Sequence, residues 1–308
     1  MIPPDLAGTV VAVWGEAGRA WLAGLPALLA EVCTAWELEP EPEPAFEMSL
    51  HWVGPVTRSD GSAAVLKVGV PDDGHLAVEA AALRAYGGRG AVRLLAHDGA
   101  RGAHLLERAD PGTPARALVP HDDAAALAAL LSVRRALHAA PVPPDGVLPP
   151  LSDLGRSFDG YLRRFPSDGP LPRRLVVRAG RLFGELCASS PESVVLHGDL
   201  HHDNVLDFGQ RGWLAIDPKR LLGERGFDFA NIFTNPDLED PSRPVGVEPG
   251  RFLRRLEIVA GAAQLERRRL LKWILAWTGL SAAWYLSDGD AAEIDFRVAA
   301  LAAAELDR

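Results

Sequence analysis

The sequence predicts an α+β fold in two parts: an antiparallel sheet with helices over residues 1–108, then a mainly helical part over 109–308. Two strand–turn–strand patterns stand before residue 108, with a helical pattern between them. After "ADPGTP" the texture changes to alanine- and leucine-rich segments at helical spacing, which puts the boundary near Arg108–Gly112. The chain has 308 residues, 48% of them hydrophobic, enough to bury the core of one or two domains.

Trp21, Leu25, Leu28, Val32 and Trp36 recur at helical spacing and predict a first amphipathic helix. The prolines and glutamates of "ELEPEPEPAFE" predict a solvated connector after it. Phe46, Met48, Leu50 and Trp52 alternate with period two, as in a half-buried strand. Asp60-Gly61 in "TRSDGS" signals a hairpin turn, and "AAVLKVG" returns as the second strand. "DDGHLAVEAAALRAYG" reads as a helix capped by Asp72 or Asp73. "AVRLLAHDGARGAHLLERA" reads as a second hairpin turning at "DGARG". Residues 121–138 predict a helix opening at Asp122 or Asp123, and "PVPPDGVLPP" a loop. Leu175, Ala179, Leu182 and Leu186 mark another helix. "SVVL" reads as a short buried strand, "GWLAIDP" as another, and helices follow to the end. The apolar run 273–286 is too short to span a bilayer and reads as a core helix.

A net charge of -9 argues against nucleic acid as the main partner and suits a cationic one. Cys33 and Cys187 lie far apart in apolar helical patterns, which fits buried reduced thiols rather than a disulfide framework or a cysteine zinc site. "MIPPDLAGTVVAVWG" lacks the flanks of a signal peptide, so a cytoplasmic location away from membranes is expected.

The densest polar chemistry is "HGDLHHDN", residues 197–204, directly after "SVVL". One reading is a zinc site built from His197, His201 and His202, as in a hydrolase. No His-Glu-x-x-His helix or neighbouring cysteine supports it, and loop support through backbone hydrogen bonds is the plainer role for these rings. The other reading is phosphoryl transfer. Asp199 precedes Asn204 by five residues, and Asp217 stands thirteen beyond, at the end of a strand-like run. Metal-assisted phosphoryl transfer needs a carboxylate to accept the hydroxyl proton, and hard oxygen ligands for Mg2+ on the nucleotide phosphates.

"HGDLHHDN" together with "IDP" resembles the catalytic signature of the aminoglycoside phosphotransferase family, relatives of protein kinases. More narrowly, "GRGAVRLL", "LHGDLHHDNVL", "RGWLAIDPK" and "GERGFDFANIF" are similar to the streptomycin 6-phosphotransferase branch, grouped with hydroxyurea kinases. The resemblance runs from the first hairpin to near the C-terminus. It implies a two-lobed protein-kinase-like fold, with Asp199 as catalytic base and Asn204 and Asp217 as Mg2+ ligands. The donor would be ATP or GTP, and the acceptor a small hydroxylated compound: streptomycin first, hydroxyurea as the alternative. A nucleotide-binding module without catalysis is the remaining alternative, and the intact Asp199, Asn204, Asp217 and Lys67 set argues against it.

A kinase-like fold also calls for a strand lysine paired with a helical glutamate. Lys67, the only lysine before Lys219, sits mid-strand among Val65, Leu66 and Val68, where an ammonium is costly unless paired. Glu79 follows twelve residues on, in the predicted helix. Glu107 and Ala109 of "LLERAD" fall where a hinge backbone would hold the base, and Ser59 and Gly61 where a hairpin would cover phosphates. A G-x-G-x-x-G loop is absent, and so is a Walker A motif, which excludes a P-loop kinase. Gly198 stands where protein kinases carry the arginine that reads phosphorylation, and Pro218 replaces a glycine, as expected of an unregulated small-molecule kinase. Asp228 of "GERGFDFAN" is expected to cap a helix or brace the catalytic loop. Glu224, Asp237, Asp240 and Asp288 are the candidate carboxylates for a cationic acceptor, with Glu239 and Asp290 nearby in sequence.

Overall fold

The computed structural model describes residues 2–42, 46, 50–70, 74–238, 240–242 and 244–308. Helix α1 (Pro4–Ala35) is kinked at Gly15 and buries Leu25 and Val32. Strand β1 (Leu38–Pro40) pairs antiparallel with β2 (Trp52–Arg58), which corrects the connector expected there. Leu38 reaches the core, and an edge strand tolerates Pro40 because its outer side carries no ladder. The second correction is the start of β2, at Trp52 rather than Phe46. Phe46 lies outside the strand and is largely exposed, although its amide bonds to the Val53 carbonyl. Met48, Asp72 and Asp73 lie outside the described residues.

The Asp60-Gly61 turn forms as expected. Asp60 accepts from the Ser62 amide, and Gly61 takes φ 79°, a left-handed value that suits glycine. Strand β3 (Ala63–Val68), helix α2 (His75–Tyr86), and strands β4 (Leu94–Asp98) and β5 (Ala103–Glu107) complete a five-stranded antiparallel sheet in the order β1-β2-β3-β5-β4.

Helix α3 (Asp123–His138) opens with the Asp122 carboxylate accepting from the Ala125 amide. Helix α4 (Arg156–Arg164) was not foreseen. In α5 (Arg173–Ala188) the buried stripe begins at Val176, while Leu175 faces outward. Four short strands follow: β6 (Val194–Leu196), β7 (Val205–Asp207), β8 (Trp213–Ala215) and β9 (Leu221–Gly223). They pair antiparallel as β6 with β9 and β7 with β8. Helices α6 (Gly226–Ala230), α7 (Pro249–Ala263), α8 (Arg267–Asp288) and α9 (Glu293–Leu306) close the chain.

Two cores result. The smaller joins α1 to the inner face of the sheet through Leu25, Val32, Val56 and Leu66. The larger surrounds α5 and α8, and it also takes in Ala82, Leu83 and Tyr86 of α2. Among the described residues no helix is long and apolar enough to cross a membrane. Cys33 is buried, whereas Cys187 is only half-buried.

Candidate active site

Lys67 points from the centre of β3, opposite Val53 on β2 and His104 on β5, into a cleft beneath the sheet. Its side chain is 6% exposed. Its ammonium donates to both oxygens of Glu79 at 2.9 and 2.8 Å, and to Asp217 at 2.6 Å. Burial alone would lower its pKa, but the two carboxylates outweigh burial and push it up to about 12. Glu79, on α2, is fully buried. Burial would raise its pKa, yet the facing ammonium holds it at about 2. This is the pairing that the strand position of Lys67 called for.

The 197–204 loop leaves β6 and returns into β7. Buried Asp228 of α6 braces it, accepting from the His197 amide at 2.9 Å, the Gly198 amide at 2.7 Å and the His138 ring at 2.9 Å. That is the structural role expected of Asp228. His197 is buried, with Nε2 against the Ile216 carbonyl at 2.8 Å and Nδ1 accepting from the Asp199 amide at 3.3 Å. The His201 ring accepts from the Asp203 amide and meets the Asn204 side chain. His202 is buried, and burial holds its pKa far down, so it is neutral. The three rings do not converge, and among the described residues no group of three or more His, Cys, Asp or Glu could hold a metal.

The Asn204 amide nitrogen donates to the Asp199 carbonyl at 2.9 Å and contacts the His201 ring at 3.0 Å, so its amide oxygen is left for another partner. Asp217 takes φ 55° and is half-exposed beside Lys67. Burial would raise its pKa, but Lys67 and then Lys219 hold it well below the usual carboxylate range. These residues line two cavities, bridged by the Lys219–Asp217 contact at 4.0 Å. One, about 490 Å³, is lined by Lys67, Glu79, Glu107, Ala109, Asn204 and Asp217. The other, about 510 Å³, is lined by Asp199, Lys219, Trp277, Trp284, Tyr285 and Asp288.

The remaining candidates scatter. Ser59 and Gly61 are exposed at the hairpin tip and line neither cavity. Glu224 is buried against Arg269 at 2.5 Å and the Trp273 indole at 2.9 Å. Asp237 is buried and accepts from the amides of Val245, Gly246 and Val247. Asp240 bonds to Ser242 and does not line the second cavity, whereas Asp288 does, with Asp290 beside it. Sequence reading missed the aromatic wall. Trp277, Ser281, Trp284, Tyr285 and Asp288 share one face of α8, a stripe at helical spacing inside a run that looked uniformly apolar. The Trp277 and Trp284 rings stand 6.0 Å apart at 84°, their indole nitrogens tied to Thr234 and Ser157.

A family model described as "Aminoglycoside/hydroxyurea antibiotic resistance kinase" matches residues 35–289. The chain belongs to this kinase family. It is 45% identical over 264 residues to a streptomycin 3''-kinase of Klebsiella pneumoniae, covering 83% of this chain and 93% of that protein. It is 36% identical over 301 residues to a streptomycin 6-kinase of Streptomyces griseus, covering 94% and 92%. The fold is similar to that of the aminoglycoside phosphotransferase APH(4)-Ia in a ternary complex with ADP and hygromycin B. The TM-score is 0.61 at 16% identity, over 89% of this chain and 97% of that one. As a member of the family, the protein is a phosphotransferase that moves a phosphoryl group from a nucleotide to a hydroxyl. The two-lobed kinase-like fold expected from the motifs is the one observed.

Proposed function

We propose that the protein phosphorylates a hydroxyl of streptomycin with ATP, or GTP, as donor and Mg2+ as cofactor. The observation that carries this is the junction of the two cavities, with Lys67, Asn204 and Asp217 on one side and Asp199 on the other. In this reading Lys67, steadied by Glu79, holds donor phosphates, and the backbone at Glu107 and Ala109 holds the base. Asp199 accepts the proton of the acceptor hydroxyl as that oxygen attacks. Asn204 and Asp217 fit Mg2+. Their donors are hard oxygens, one carboxylate is firmly ionised, and the amide oxygen is left over from the Asn204 contacts. When bound, the ion would neutralise phosphate charge. Catalysis by this chain is then positioning and electrostatics rather than covalent chemistry.

The acceptor in this reading is cationic. Asp288, with Asp290, offers carboxylates at the mouth of a cavity walled by Trp277, Trp284 and Tyr285, a combination that suits guanidinium groups through charge-assisted and cation–π contacts. Glu224, Asp237 and Asp240 leave the candidate set because their carboxylates already serve internal partners. A cavity of about 510 Å³ favours streptomycin over hydroxyurea, which would occupy a small part of it. A cytoplasmic site of action, where nucleotide is supplied, accords with this reading. Incubated with Mg2+ and ATP, the protein should convert streptomycin to a monophosphate seen by mass spectrometry, and phosphorus NMR should locate the modified hydroxyl. ADP release with hydroxyurea and none with streptomycin would overturn the choice of acceptor.

A further inference from the structure

We propose that Lys219 is a further catalytic residue, its ammonium meeting the phosphoryl group as it passes between the two cavities; this rests on the phosphotransfer reading above. Lys219 lines the cavity that holds Asp199, and its Nζ lies 3.5 Å from Asp199 Oδ2. The same Nζ lies 4.0 Å from Asp217 Oδ2, a carboxylate of the other cavity. One side chain therefore touches both sides of the junction. Lys67 stands on the donor side, lining the other cavity and held there by Glu79 and Asp217, and does not reach Asp199. Lys219 is 48% exposed, so its remaining donors are open to an incoming oxygen.

The backbone is built to hold this side chain. The Lys219 amide donates to the His197 carbonyl at 2.6 Å, locking the 216–220 turn onto the 197–204 loop. Gly198 takes φ 81°, and a Cβ there would come within 3.0 Å of the Lys219 Cβ. The glycine that replaces an arginine of protein kinases thus clears the floor on which Lys219 lies. Composition sharpens the point: of the 32 Lys and Arg residues only three are lysine, Lys67, Lys219 and Lys272, and two of these face the junction. A compact ammonium with three rotatable donors can follow a moving phosphoryl group, whereas a planar guanidinium fork suits fixed bidentate pairing.

In the transfer, the acceptor oxygen bonds to phosphorus while the bond from phosphorus to the bridging oxygen breaks. The electron pair leaves with the nucleoside diphosphate, and the acceptor proton passes to Asp199. Lys219 stays an ammonium throughout and gives its hydrogen bonds to the non-bridging oxygens as they cross. Interactions made chiefly at that stage raise turnover rather than ground-state affinity.

The test compares Lys219→Met, Lys219→Gln and Lys219→Arg with the parent protein. Turnover is read as ADP release, with streptomycin as acceptor and, in parallel, with water alone. ADP affinity is read by calorimetry and folding by thermal melting. The two neutral variants should lose about 10²–10³-fold in kcat, the usual cost of removing one such donor. ADP affinity should stay within about threefold, and Lys219→Arg should recover part of the loss because it keeps the charge. Three results would overturn the proposal: kcat of both neutral variants within about threefold of the parent, a loss confined to KM or ADP affinity, or an arginine variant no better than the neutral ones. Asp199→Asn is run alongside. If it keeps parental turnover, the phosphotransfer reading of the cleft fails; if it is inactive while the neutral Lys219 variants are not, only the role of Lys219 fails.

Discussion

Replacing Glu79 with glutamine removes one of the two carboxylates that stabilise the buried Lys67 ammonium. The magnitude follows from the ionisation of Glu79. A carboxyl whose pKa is lowered from 4.5 to about 2 on folding favours the folded state by about 3 kcal/mol at neutral pH. Breaking a buried pair by deleting one partner costs about 3–5 kcal/mol, and Asp217 remains to partner Lys67, so the lower end applies. Urea denaturation at pH 7 should therefore place Glu79→Gln about 3 kcal/mol below the parent. The sign of the pH dependence is fixed by the same shift. The unfolded carboxyl takes up its proton near 4.5 and the folded one only near 2, so the contribution is complete at neutral pH and is lost as pH falls through that window. By pH 4 the gap between parent and variant should have narrowed by about 0.8 kcal/mol. A difference under about 1 kcal/mol at pH 7 would refute the reasoning, and so would a gap that widens towards acid.

Other outcomes follow from the same geometry. Asp199→Ala should lose about 10²–10⁴-fold in turnover while nucleotide binding by calorimetry stays nearly intact; activity within a few-fold of the parent would remove it as the base. Asn204→Ala and Asp217→Ala should each raise the Mg2+ concentration needed for half-maximal activity, and unchanged titrations in both would remove them from the metal site. Asp288→Asn and Asp290→Asn should raise the streptomycin KM about two- to fivefold at low salt, as expected of solvent-facing charge pairs, with less effect as salt increases. An unchanged KM in both would dismiss the cationic pocket and leave the kinase assignment standing.

The parts of the site that could be read from sequence are those whose chemistry is local. Asp60-Gly61 needs only its own neighbours to turn the chain, and a lysine in mid-strand among apolar residues announces a missing partner. The spacing of Asp199, Asn204 and Asp217 reflects two short loops that link one strand pair to the other, β6 to β7 and β8 to β9. The rest depended on distant contacts. Glu224 and Asp288 look alike as letters. Only the fold decides that Glu224 meets Arg269, 45 residues away, while Asp288 opens onto a cavity. Strand β1 was hidden because an edge strand asks little of its sequence beyond one buried residue, here Leu38. The aromatic face of α8 was hidden because its opposite face is also apolar, so no period stands out.

Helix α2 carries Glu79 on the same buried face as Ala82, Leu83 and Tyr86, which belong to the larger core. In pharmacological terms, this matters for inhibitor design. Compounds that silence a kinase by capturing a displaced glutamate helix need a low-cost inactive state to capture. Here that displacement would pull a tyrosine and a leucine out of the core and leave the buried Lys67 with Asp217 alone. A compound that blocks the protein would then bind in the cleft at Lys67 or in the cavity walled by Trp277 and Trp284 rather than behind α2.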